Sequence, residues 1–200
     1  MNFLRTAAIL AAIFLTGCGS NPMKVSEVTT IEAPEANKAQ LIFMRSSFVG
    51  SAISASLYDV TSGDPKFIGI IENGTKVPYA VDAGKHVFMV IAESADYMEA
   101  NVNAGKTYYS MVTPRMGVWK ARFSLWPIKR SSTAEYPLEK PEVQTWIKET
   151  KLATLSEAAE TWFTKNKASI VKKHDKYWPT WLSNTEEETA ARTLSPNDGQ

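Results

Sequence analysis

The chain has 200 residues, with 22 Lys and Arg against 21 Asp and Glu, so its formal net charge is +1. That length suits one packed domain with additions, and the even charge excludes the basic excess expected of a nucleic-acid binder. A single cysteine, Cys18, excludes an internal disulfide, and two histidines leave no cluster with metal-ligand spacing.

Residues 1–17 read as a leader. Met1 to Arg5 carries one positive charge, and Thr6 to Leu15 is an unbroken run of small and apolar residues. The run is shorter than the ~20 residues a bilayer-spanning helix needs. It closes on Leu15-Thr16-Gly17-Cys18, which resembles the lipobox of bacterial lipoproteins. The resemblance implies cleavage before Cys18, a thioether from its sulfur to diacylglycerol, and a partner in the lipid bilayer. Gly19 in place of Asp implies the outer membrane by the same likeness. Loss of Arg5 with the leader would balance the charge.

Residues 18–38 are polar, with Pro22 and Pro34, and read as a tether. A weak alternation at Val25, Val28 and Ile31 is compatible with an edge strand, and a linker is the preferred reading. Residues 39–127 then show short β-rich runs at intervals of roughly ten residues. They are Ala39–Arg45, Ile53–Val60, Lys66–Ile71, Thr75–Val81, Lys85–Ala92, Ala100–Asn103, Lys106–Thr113 and Trp119–Trp126. Ser62-Gly63-Asp64-Pro65, Asn73-Gly74, Ala83-Gly84 and Ala104-Gly105 separate them. Asn73-Gly74 predicts a tight type I′ hairpin. Leu41–Met44 and Val87–Ile91 are apolar on both faces and predict central strands, whereas Trp119 to Leu125 alternates and predicts one wet face. The predicted fold is mainly β, an antiparallel immunoglobulin-like sandwich or curled sheet followed by a C-terminal amphipathic helix.

Leu41 to Arg45 with Phe48 to Ala52, the end Leu57-Tyr58-Asp59, the turn Ile68-Gly69 to Asn73-Gly74, Ala83-Gly84-Lys85-His86 and Asn103 to Tyr109 carry a second resemblance. Over residues 38 to 127 the chain is similar to a family of small bacterial lipoproteins known only as a domain of unknown function. Ala83 stands where that family usually has Pro. The shared residues are turn and core positions, so the likeness implies a fold and assigns no activity.

Residues 128–182 read as a connector and helical appendage, beginning after Pro127. A short helix is predicted over Glu142–Lys148. Thr154-x-x-Glu157 fits a capping box, and Ala159, Trp162, Phe163, Asn166, Ile170, His174 and Tyr177 recur at helical steps. The predicted amphipathic helix is about 23 residues, roughly 35 Å long. Pro179 should end or kink it, leaving Tyr177 to Leu182 as an aromatic stop. Residues 183–200 read as a disordered polar tail.

Among candidate sites, Cys18 is the lipidation residue, and Lys165, Lys172, Lys176, Trp178 and Trp181 form a possible interaction surface. A solvated helix face with its aromatic stripe on the sheet is the alternative. Tyr108, Tyr109, Trp119 and Trp126 could build an exposed aromatic surface, although aromatic strands more often supply core. Arg45 and Asp59 could pair across neighbouring strands, and His86 with His174 could supply a catalytic base. No catalytic motif, cofactor site or metal site is read from the sequence. The leading expectation is a non-enzymatic envelope interaction or structural module whose partner is another envelope protein or peptidoglycan. The alternatives are a small-molecule or lipid carrier using a cavity between sheet and helix, and a hydrolase.

Overall fold

The computed structural model describes residues 21–47, 49–115 and 122–200. Cys18, the whole leader and Trp119 lie outside the described residues. The strands are β1 (Lys24–Val25), β2 (Ala39–Arg45), β3 (Ala55–Asp59), β4 (Lys66–Ile71), β5 (Thr75–Val81), β6 (Gly84–Ile91), β7 (Ala95–Val102), β8 (Thr107–Arg115), β9 (Arg122–Lys129), β10 (Tyr136–Pro137), β11 (Lys151–Thr154) and β12 (Thr193–Leu194). The helices are α1 (Pro141–Glu149), α2 (Glu157–Leu182) and α3 (Glu186–Ala191), followed by a 3-10 turn at Pro196–Asp198.

Two sheets stack face to face. One has the order β1-β11-β5-β2-β8-β9-β10 and the other β12-β7-β6-β3-β4. The two strands that are apolar on both faces, β2 and β6, are the central strands of their sheets, because only there is each face covered. Leu41 and Phe43 point to the space between the sheets, where Phe43 meets Phe88 edge-on at 5.2 Å. Ile42 and Met44 point the other way and pack with Leu138 and Val143 beneath α1. The outer face of the five-stranded sheet is covered by α2, whose Phe163 lies 5.0 Å from Phe67 and 6.2 Å from Tyr58. The molecule is therefore layered helix, sheet, sheet, helix.

Both sheets are mixed rather than purely antiparallel. β8 lies parallel to β2, β11 to β5, β10 to β9 and β12 to β7. Between β2 and β8 the chain builds four strands of the other sheet (β3, β4, β6 and β7) and β5 of its own, and such a long excursion permits parallel pairing. Asn73-Gly74 is likewise not a hairpin turn within one sheet. It is a corner joining β4 of one sheet to β5 of the other. The Thr75 N–H donates to the Glu72 carbonyl at 3.2 Å. Gly74 has φ of 76° and no described non-glycine residue has positive φ, which is the signature of a type II turn.

The segment read as a tether is partly built into the domain. Met23 is buried in the main core, β1 pairs with β11, and Ile31 packs on the α1 side. Residues 128–182 are no appendage, since β9 runs through Pro127 to Lys129 and β10 and β11 join the larger sheet. The helix cap also moves: Ser156 is the N-cap of α2, accepting from the Ala159 N–H at 3.2 Å, while Thr154 ends β11. α2 continues past Pro179 to Leu182. An interior proline costs about 3 kcal/mol, and burial of Trp181 against Tyr97 in the final turn offsets it.

The expected disordered tail at 183–200 is instead ordered. Thr185 and Glu188 form a capping box for α3. β12 pairs with β7, and Leu194 is fully buried. The Asp198 carboxylate accepts the N–H groups of Arg130 at 3.0 Å and Ser195 at 2.7 Å. Low hydrophobicity suggested disorder, yet a few buried side chains and backbone bonds suffice to dock the segment.

Candidate binding cleft

α2 covers only part of its sheet closely. Towards its C-terminal half the contact is tight: the Tyr97 hydroxyl lies 3.0 Å from His174 Nδ1, and Trp178 stands 5.2 Å from the Tyr97 ring. Along one flank of its N-terminal half, beside the Phe163–Phe67 stack, the helix and the sheet border a cleft of about 1020 Å³. Its apolar surface comes from Ile53, Ala55, Ile70, Ile91, Trp162 and Ile170. Ile53, 43% exposed, stands at its mouth. The rim carries Lys165 and Lys173 together with Glu72, Glu93 and Glu157.

Three polar residues shape this cleft, one buried and two half-buried. Arg45, fully buried at the end of β2, donates to the carbonyls of Gly50 and Ile53 and so holds the loop that supplies one wall. Its guanidinium lies 4.3 Å from the Phe123 ring, and burial lowers its pKa to about 10, opposed by the nearby Glu72 charge. Lys173 donates to the Ala92 carbonyl and ties α2 to the β6–β7 turn. Asn21 accepts the Met23 N–H at 2.9 Å through Oδ1, while its buried Nδ2 has no partner among the described residues. A buried donor without an acceptor is uncommon in folded proteins, and Asn21 lines the cleft.

The residues singled out from the sequence divide rather than converge. Lys165, Lys172 and Lys176 are exposed, whereas Trp178 is half-buried and Trp181 is buried. The five do not form one surface, because successive helical residues rotate by about 100° and the tryptophans share the His174 face. Of the aromatic strand residues described, Tyr108 is core, Tyr109 packs on the α1 side, and Trp126 lies between Tyr136 and Arg192. Arg45 and Asp59 do not pair, since β2 and β3 belong to different sheets. Asp59 instead accepts from the Thr61 N–H at 2.9 Å and from the Tyr79 hydroxyl at 3.2 Å.

His86 and His174 lie on opposite faces of the five-stranded sheet. His86 stacks on Phe88 and contacts the Asp82 carbonyl at 2.9 Å through Nε2, while His174, on α2, packs against Tyr97 on the outer face. Burial lowers the His174 pKa from 6.5, with Asp175 opposing. Among the described residues, no group of three His, Cys, Asp or Glu could hold a metal ion, and no helix is long and apolar enough to cross a membrane. The cleft itself was not legible in the sequence. Asn21, Ile53, Ile91 and Lys173 come from four separate segments, and none of them was marked by the sequence pattern as a site residue.

No known family model matches this chain, and no curated protein matches it.

Proposed function

We propose that the chain is a lipid-anchored envelope protein that holds the acyl portion of a membrane amphiphile in the cleft beside α2, acting by binding rather than catalysis. The observation that carries this reading is the mostly apolar cleft of about 1020 Å³ with a charged rim, a size typical of small-molecule sites. The lipobox resemblance supports the membrane source of the ligand. Asn21, at the cleft, follows Cys18 by three residues, so an anchored Cys18 lies within roughly 10 Å of it along the chain. Lipidation and Gly19 together favour the periphery of the outer membrane. A second reading, an interaction module for another envelope protein or peptidoglycan, draws on the exposed Lys165, Lys172 and Lys176.

The test is lipid extraction from the protein purified from membranes, comparing wild type with Ser169→Trp, which fills the cleft from an exposed helix position. About one amphiphile per chain in wild type and a large loss in the variant are expected. Equal lipid content in both would refute the cleft reading and leave the interaction module.

A further inference from the structure

The far end of α2 borders a second cavity, of about 340 Å³, with a different chemistry. Arg115 at the end of β8, Arg122 at the start of β9 and Arg192 after α3 all line it, with Ser94 and Asn184. Arg115 and Arg122 are direct cross-strand partners. Like charges placed opposite each other on a ladder repel, so this pairing has a cost that a bound anion would remove. Among the described lining residues, Asp96 is the one carboxylate. It accepts from the Leu125 N–H at 3.1 Å and from Arg192 Nη2, and stands 3.6 Å from Arg115. Three guanidinium groups against one carboxylate leave a surplus of positive charge in the cavity.

Of the three arginines, Arg192 is held in place before any ligand arrives, while Arg115 and Arg122 are exposed. The Arg192 guanidinium lies 4.3 Å from the Trp126 ring and donates to the Tyr97 carbonyl at 3.0 Å. Its Nε is buried and without a partner among the described residues. Ser94 is 4% exposed, and its hydroxyl is also without a partner among the described residues. Two buried unsatisfied donors beside a positively charged cavity are the arrangement that a multi-oxygen anion completes.

We propose that Arg115, Arg122, Arg192 and Ser94 form a binding site for a phosphate monoester. A dianionic phosphate matches the charge left after Asp96, and its oxygens can accept from guanidinium forks and a hydroxyl at once. The phosphate belongs either to a soluble phosphate ester or to a lipid headgroup. The site stands apart from the α2 cleft and does not depend on what the cleft holds.

Two arms distinguish the sources. In the first, glycerol 3-phosphate is titrated calorimetrically into the full chain in non-ionic detergent. In the second, the full chain carrying Cys18→Ala is bound to phosphatidylcholine vesicles with and without phosphatidic acid. Arg115→Gln/Arg122→Gln should weaken whichever binding is seen by about tenfold or more, since two charge-assisted contacts are lost. Ser94→Ala, which alters no charge, should weaken it several-fold with melting temperature unchanged, and it keeps the test decisive if the double variant folds poorly. Binding in the first arm identifies a soluble ester, and binding only to phosphatidic acid vesicles identifies a headgroup. No binding in either arm, or binding that Ser94→Ala and the arginine variant both retain, overturns the proposal.

Discussion

Arg45→Met tests how the wall of the cleft is held. The native guanidinium is fully buried and serves the carbonyls of Gly50 and Ile53. Methionine keeps an unbranched stem against Phe123 but removes both donors. Each abandoned carbonyl costs about 1–3 kcal/mol if it stays dry. Gly50 is half-buried and Ile53 exposed, so water can reach them, and the low end applies to each. The expected loss is about 2 kcal/mol, a fall of about 4–8 °C in melting temperature for a domain of this size. Arg45→Ala should lose about 1–3 kcal/mol more because it also leaves a cavity. Urea unfolding gives the stability, and hydrogen exchange at residues 49–54 reads the loop directly. If Arg45→Met retained wild-type stability and loop protection, the guanidinium would not be what holds that wall.

Two other perturbations follow from local geometry. The His174 pKa is depressed in the fold, so between its folded value and about 6.5 the unfolded chain binds more protons. Stability from the neutral buried ring is present above pH 6.5 and is lost as pH falls through the folded value. Unfolding measured across that range should show a slope that His174→Gln removes; an identical pH profile in the variant would refute the assignment. Gly199→Ala would bring a Cβ within 2.6 Å of Tyr108 Cζ and 2.9 Å of Lys106 Cδ. Tyr108 is fully buried and hydrogen-bonded to Asn103 and Pro196, so the alanine should destabilise by about 1–3 kcal/mol and expose the last residues to carboxypeptidase. A neutral substitution would mean that the C-terminal segment is not docked as described.

The amino-acid sequence by itself marked the eight strands β2–β9 approximately and which two of them are central, but not the short strands β1, β10, β11 and β12. Side-chain alternation reports burial on each face of a strand, and Leu41–Met44 and Val87–Ile91 carried no wet face. The same alternation is blind to partner and direction, because a strand buries the same residues in parallel and antiparallel ladders. Hence the parallel β2–β8 pair, and the assignment of β4 and β5 to different sheets across Asn73-Gly74, were settled only by tertiary packing. Packing also overrode local rules at Pro179, where Trp181 secured the final turn, and in residues 183–200, where Leu194 and Asp198 docked a polar segment. Both cavities belong to the same category. Asn21, Ile53 and Lys173, or Ser94, Arg115 and Arg192, are distant in the chain and acquire a joint chemistry only when two sheets and a helix bring them to one place.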